Sequence, residues 1–282
     1  MSHIDPTKRH EFVLLFDVKS GNPNGDPDAG NLPRVDPQTM NGLVTDVALK
    51  RKVRDYLQQT RDMPIFIQSK VALNTLIKEA GVARGIQEAQ APNDDVRLEM
   101  CARYYDIRMF GAVLTTGKLN AGQVRGPVQI TFGRSIDPLY TLDVAISRQA
   151  HANDADPMGL GPRKGIVPYG LYRAHGYFNP YLAEKTGVVE EDMEALWEAL
   201  QNLFEFDRSA ARGEMNVRGL YVFTHENKKG NAPAHKLFEL IRRPELVDKT
   251  KPPRDFSDYK VIAPPDGKLE AFPGVEIRNL CP

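Results

Sequence analysis

The chain has 282 residues, 41% of them apolar and 26% charged, which fits a soluble globular protein with a large core in one large domain or two small ones. Lysine plus arginine equals aspartate plus glutamate at 37 each, which argues against a uniformly basic nucleic-acid binder. Cys101 and Cys281 are the only cysteines and form no CxxC site or disulfide framework; with no membrane-length apolar run and no apolar signal segment in MSHIDPTKRHEF, a cytoplasmic location is the expectation.

Residues 12–18 predict a buried strand. It feeds into a stretch in which 13 of the 21 residues from Lys19 to Thr39 are Gly, Pro, Asn or Asp. That composition predicts neither helix nor strand, because glycine adds backbone freedom and proline removes a donor. Residues 45–60 predict an amphipathic helix with Thr45 as N-cap and Asp46 in the first turn. Its core edge is Leu49, Val53, Tyr56 and Leu57. A mixed stretch, 61–126, contains helical patterns near 70–80 and 95–109. Residues 128–134 alternate, with Val128, Ile130 and Phe132 on one face. Residues 141–147 alternate through Leu142, Val144 and Ile146, and the linker SIDPLY predicts a hairpin between the two. After the loop AHANDADPMGLGPRKG, 150–165, a strand is expected at 166–175. A helix follows at about 188–206 and a strand at 217–224.

Without the two irregular stretches, and with 128–134 and 141–147 counted as the middle pair and 166–175 left aside, the order is strand, helix, strand, strand, helix, strand. This is the ferredoxin-like order, shared by RNA-recognition modules and by many unrelated proteins. The fold class expected is therefore α+β. No internal repeat or linker divides the chain, so one domain, 1–282, is expected, with insertions at 61–126 and about 149–166.

Charge is unevenly spread. From Lys50 to Arg61 five residues are basic and only Asp55 is acidic, whereas from Glu184 to Asp207 eight are acidic and only Lys185 is basic. Such segregation suits a basic groove, head-to-tail self-association, or solvated helices. On a helical wheel Lys50, Arg54 and Arg61 fall within about 40° of one another, with Arg51 at their flank. The loop runs into this helix, so loop amides, including those of Asn22 and Asn24, would sit near its cations, as a phosphate chain requires. An ordinary solvated face is the plain alternative.

Asn22, Asn24, Asp26 and Asp28 alternate like the start of a calcium loop. Counting from Asn24, however, Ala29 stands where the turn glycine belongs and Val35 where the bidentate glutamate belongs. Structural Asx turns, a backbone cradle, and a magnesium-dependent nuclease acid at Asp26 or Asp28 stay open. The histidines show no HxxxH spacing, and His151 with Asp154 and Asp156 reads first as a polar loop. Gly159 and Gly161 begin a dinucleotide fingerprint that fails at Lys164. Tyr169, Tyr172, Tyr177 and Phe178 could stack on bases, although buried aromatics are the commoner arrangement.

The stretch FVLLFDVKSGNPNGDPDAGNLPRVDPQTMNGLVTDVALKRKVRDYL, Phe12 to Leu57, closely resembles the start of the repeat-associated (RAMP) backbone subunit of the type I-C CRISPR Cascade surveillance complex. The resemblance continues in GQVRGPVQITFGRSIDP (122–138) and KGIVPYGLYRAHGYFNP (164–180). It implies a modified ferredoxin-like, RRM-like palm with a helical fingers insertion (about 61–126) and a thumb loop or hairpin (about 149–166). Several copies would polymerise along one crRNA and present it for pairing with a target DNA strand, beside the large and crRNA-processing subunits. The first helix would hold the RNA backbone through Lys50, Arg51 and Arg54, with Thr45 at its head. Arg34 and Arg125 lie in matching blocks. The loop after the first strand would wall the groove, stiffened by Pro23, Pro27, Pro33 and Pro37. In the thumb, Met158 would wedge between bases, beside Arg163 and Lys164.

No enzyme activity, cofactor or metal is implied for the subunit, and target cutting would belong to a recruited helicase-nuclease. Filament subunits of type III complexes cut RNA with an acid in the corresponding loop, so a ribonuclease using Asp26 or Asp28 is the alternative. A self-assembling structural protein without a nucleic-acid role is a third reading.

Overall fold

The computed structural model describes residues 3–147 and 160–281. Its centre is an antiparallel nine-stranded sheet. The sheet strands are β1 (His10–Gly21), β2 (Asn41–Val44), β3 (Val128–Ile130), β4 (Gly133–Pro138), β5 (Leu142–Ser147), β6 (Leu160–Phe178), β7 (Glu214–His225), β8 (Gly267–Lys268) and β9 (Val275–Asn279). Their order is β8-β9-β7-β1-β6-β4-β2, with β3 and β5 pairing along other parts of the long β6.

β1 is hydrogen-bonded on both sides, to β6 with His10 opposite Phe178 and to β7 with His10 opposite Thr224. It is also covered on both faces, which is why it reads as a continuous apolar run rather than an alternation. Phe12, Leu14, Phe16 and Val18 pack under helices α1 (Asp46–Arg61) and α6 (Glu190–Gln201), against Leu49, Val53, Leu57, Leu196 and Trp197. Val13 and Leu15 pack on the other face, with Phe223 and Ile277, against Leu237, Phe238 and Ile241 at helix α7 (Ala234–Leu240). Thr45 caps α1 as expected, its hydroxyl accepting from the Ala48 N–H at 3.2 Å.

The insertion has its own apolar cluster, including Phe66, Ile77, Met100, Ile107 and Leu114. It contains α2 (Leu73–Ala83), α3 (Asp94–Arg103) and α4 (Tyr105–Phe110), while α5 (Pro180–Thr186) follows β6. The expected helix at 95–109 divides because Tyr104 is extended, at φ −108° and ψ 117°. The insertion is tied to the sheet-packed helices by ion pairs. Arg54 Nε lies 2.8 Å from Asp106 Oδ2, and the Asp106 carboxylate also accepts the Phe66 and Ile67 N–H groups at 2.8 and 3.0 Å. Arg108 forks onto Asp192 at 2.6 and 2.8 Å, and Arg61 of α1 pairs with Glu198 of α6 between the two sheet-packed helices themselves.

Five further expectations need correction. Residues 160–165, expected as loop, begin β6. The SIDP stretch is not a hairpin linker: it belongs to β4, and β5 pairs with the outer half of β6 instead. β6, at 19 residues, is long enough to serve β3 and β4 at one end and β5 at the other. The Gly/Pro/Asn stretch is not wholly irregular: β1 runs on to Gly21, and Gly25–Asp26 pairs with Leu32–Pro33 around a single 3-10 turn. α6 ends at Gln201, and turns occupy 202–205. Phe132 does not share the inward face of Val128 and Ile130, because the ladder breaks between β3 and β4.

Arg54 therefore supports the fold rather than facing solvent. Replacing one partner of a buried pair strands the other charge and costs about 3 kcal/mol or more. Arg54→Ala should lower unfolding free energy by that amount in urea titrations, whereas Arg51→Ala should change it by less than about 0.5 kcal/mol.

Candidate nucleic-acid interface

β1 leaves the sheet at Gly21, and the chain is pinned at once by its own polar groups. The Asn22 side-chain amide donates to the Asn31 carbonyl at 2.7 Å, closing the turn across its base. Asp26 caps the 3-10 turn by accepting the Asp28 N–H at 3.2 Å, with Pro27 at its first position. Gly25 lies close against Asn31: a Cβ there would stand 2.0 Å from Asn31 Oδ1, and the Asn31 side chain would have to move. Asn24 then reaches across, its Oδ1 accepting the Thr45 N–H at 2.9 Å. The loop is thereby fastened to the head of α1.

Between loop and helix lies a cleft of about 470 Å³. Asn24, Gly25, Arg34, Thr45, Arg51 and Phe132 line it. Arg51 is its most available cation, 64% exposed with Nε 3.3 Å from Asp55. An exposed i,i+4 pair of this kind is worth only about 0.3–0.5 kcal/mol and exchanges readily for another anion. Arg34 Nη1 lies 3.4 Å from Asp26, while its buried Nε has no hydrogen-bond partner among the described residues. Deeper in the wall, Asp207 pairs with both Lys52 and Arg212. Burial lowers the Lys52 pKa while Asp207 opposes that shift. Backbone turns, side-chain amides and guanidinium groups in this arrangement suit a chain of phosphates.

The candidates from sequence separate in space. Asn24, Arg34, Thr45 and Arg51 come together in the cleft, and Asn22 is buried in the loop behind it. Lys50 lies on another flank of α1 at 12% side-chain exposure, 3.0 Å from Asp46 and 3.5 Å from Gln129. The expected strip of Lys50, Arg54 and Arg61 is not a single exposed edge, since Arg54 is held by Asp106 and Arg61 by Glu198. Arg125 is exposed on the short strand Gln123–Arg125 of the insertion and does not line the cleft. Arg163, 2.6 Å from Asp143, and Lys164 lie on the β5–β6 ribbon. Met158 and the group His151, Asp154 and Asp156 lie outside the described residues.

Tyr169, Tyr172 and Phe178 are buried, and Tyr177 is partly exposed against Phe238. Among the described residues no group of three or more His, Cys, Asp or Glu is placed to hold a metal ion, and no helix is long and apolar enough to cross a membrane. Phe132 also lines the cleft, although alternation placed it on the inward face; the signal in the sequence is Gly133, which fills the inward place against Phe16 where a side chain would crowd.

Fold and cleft define an antiparallel α/β protein with a loop-walled, cation-bearing groove at the head of its first helix. The chain belongs to the CRISPR-associated protein Cas7 family, whose model matches residues 8–263. The CRISPR-associated protein Cas7 of Haloferax volcanii is 28% identical over 263 residues, spanning 83% of this chain and 74% of that protein. A chain of a solved CRISPR RNA-guided surveillance complex in a pre-nicking state superposes with a TM-score of 0.51 at 13% identity, covering 76% of this chain and 78% of that one. That match shows a shared fold. A chain from another CRISPR RNA-guided surveillance complex gives a TM-score of 0.42 at 15% identity, covering 75% and 68%.

The Asn24 link is testable by itself. Asn24→Ala leaves the Thr45 N–H without its side-chain acceptor and should cost about 1 kcal/mol. Amide exchange at Thr45 should accelerate in hydrogen–deuterium exchange, while exchange in the middle of β1 stays at its wild-type rate.

Proposed function

We propose that the chain is a non-catalytic crRNA-binding backbone subunit of a type I-C Cascade complex. It polymerises along the guide and presents it for pairing with target DNA in antiviral defence. The observation that carries this reading is the cleft itself, where Asn24, Arg34, Thr45 and Arg51 converge from the loop and the head of α1. Its donors match phosphate and sugar rather than base edges, as a protein that accepts any spacer needs. Membership in the Cas7 family supports the same assignment. A chain of a solved RNA-guided surveillance complex shares its fold.

In this reading the four strands β7-β1-β6-β4, with α1 and α6 on one face, are a ferredoxin-like palm. The other sheet face, open in many RNA-recognition modules, is covered by α7, so RNA runs past the helix head instead. Residues 61–126 are the fingers of a single domain. The β5–β6 ribbon is the base of a thumb spanning about 149–166, with Arg163 and Lys164 beside the guide and Met158 as its wedge. Exposed Leu142, Val144 and Ile146 on that ribbon support contact with a neighbouring copy. The large and crRNA-processing subunits flank the filament, and the complex works in the cytoplasm. Lys50 and Arg125 contact the guide outside the cleft, while Arg54 acts through Asp106 on the position of α1.

Asp26 and Asp28 serve the loop in this reading. Asp26 is engaged as a turn cap and beside Arg34. Incubating the assembled complex with labelled complementary RNA, in magnesium and then in EDTA, should give no site-specific cutting. Cutting that disappears in Asp26→Ala or Asp28→Ala would make the ribonuclease reading correct.

For single strands the slope of log K against log salt is about 0.7 per phosphate contact. Arg51→Ala should lower that slope by about 0.7 per subunit, and Arg34→Ala with Arg51→Ala by about 1.4. Filter binding across a salt series measures it. A folded double variant with the wild-type slope would leave the cleft without a phosphate role.

A further inference from the structure

Two surfaces of opposite charge lie on opposite faces of the central sheet. The acidic one is the outer side of α6, which packs on the face of Phe12 and Phe16. The inward acids of this helix are engaged, Asp192 by Arg108 and Glu198 by Arg61. Glu190, Glu191 and Glu194 are exposed and belong to no ion pair among the described residues.

The basic surface is a cavity of about 540 Å³ walled by Asn41, Arg134, Arg173, His175 and Arg243. Arg173 and His175 stand opposite Leu15 and Val13 across the β1–β6 ladder, so they share the face covered by α7. The His175 ring stacks on Phe238 of α7 with centroids 4.3 Å apart. Arg173 donates to the Phe238 and Ile241 carbonyls at 2.6 and 2.7 Å and to His175 Nε2 at 2.9 Å. Burial lowers its pKa, and no carboxylate opposes that shift. Arg243 donates to the Ile136 carbonyl. The acceptors of all these bonds are neutral, since burial, aided by the Arg173 charge, holds the His175 pKa down to about 4. Arg134, 59% exposed, stands 3.2 Å from Asp36. Asp137 of β4 accepts the Tyr259 hydroxyl at 2.6 Å, and no acid lines the cavity among the described residues. Three guanidinium groups thus share one cavity with no carboxylate in its wall.

We propose that this cavity receives the exposed α6 carboxylates of a second copy of the chain, joining copies head to tail. This rests on the reading of the chain as a polymerising subunit and names the two surfaces that join. A carboxylate suits the planar fork of an arginine, which can bind both its oxygens. Surfaces on opposite faces of one sheet cannot meet within a copy. The contact is therefore heterologous: each copy offers acids to one neighbour and arginines to the next, which extends into an open filament unless the rotation closes a ring.

The test uses the chain on two single-stranded RNAs, one short enough to hold a single copy by native mass spectrometry and one that holds several. One variant combines Arg134→Gln and Arg243→Gln; the other combines Glu190→Gln, Glu191→Gln and Glu194→Gln. Circular dichroism checks that both fold. Each should bind the short RNA with wild-type affinity and salt slope. On the long RNA, cooperativity between adjacent copies should fall at least about 30-fold, the lower end for losing one partner of a desolvated charge pair. An equal mixture of the two variants should restore cooperativity between pairs only, because one joint remains, the acids of one variant in the cavity of the other. The α6 acids are exposed, so their variant keeps the test decisive if loss of Arg243 unfolds the chain. Wild-type cooperativity in a folded variant overturns the proposal. So does weaker binding of the short RNA by the arginine variant, which would make the cavity a phosphate site. If the wild-type chain fills the long RNA without cooperativity, the polymerising reading falls with it.

Discussion

The structure depends on the confinement of β1. A strand bonded along both edges and buried on both faces can lead to surface function only where it leaves the sheet. The chain leaves at Gly21, and from there backbone groups must find new partners. Asn22, Asn24 and Asp26 supply them locally, which makes the loop a folded wall. The cross-link from Asn24 to Thr45 matters most. It joins the end of the central strand to the beginning of the helix packed on it, so cleft geometry follows core geometry.

Charge is used in two ways. The cations around α1 differ less in sequence than in what covers them. Arg54 and Lys52 are buried against Asp106 and Asp207, where they tie other segments to the helix. Arg51, one position from Lys52, faces the cleft with only a weak surface partner. Equal numbers of acids and bases are therefore compatible with a polyanion site. Many charges are paired inside the fold, and a few face one groove.

Phe132 departs from the alternation of its strand. Leaving the ring 47% exposed forgoes nearly half of the ~1.5–3 kcal/mol that full burial supplies. The fold preserves the core beneath by placing glycine against Phe16. Departures from local consistency of this kind concentrate at functional places.

By itself, the sequence determined the features that depend on neighbours along the chain. These were the buried first strand, the Thr45 cap, the core edge of α1, and the existence of the later helix near 188–206 and strand near 217–224. Turn chemistry, capping and periodicity act over a few residues, so they are readable without a fold. The tertiary structure alone decided which cations were free. A helical wheel gives the direction of Arg54, but Asp106 comes from 52 positions away to cover it. It also decided that β5 pairs with β6 rather than with β4, because β4 is already bonded to β6 and to β2. The outward turn of Phe132 had the same origin. Alternation predicts a face only while the ladder is unbroken, and the break is set by bonds from Thr131 to His175 across the sheet.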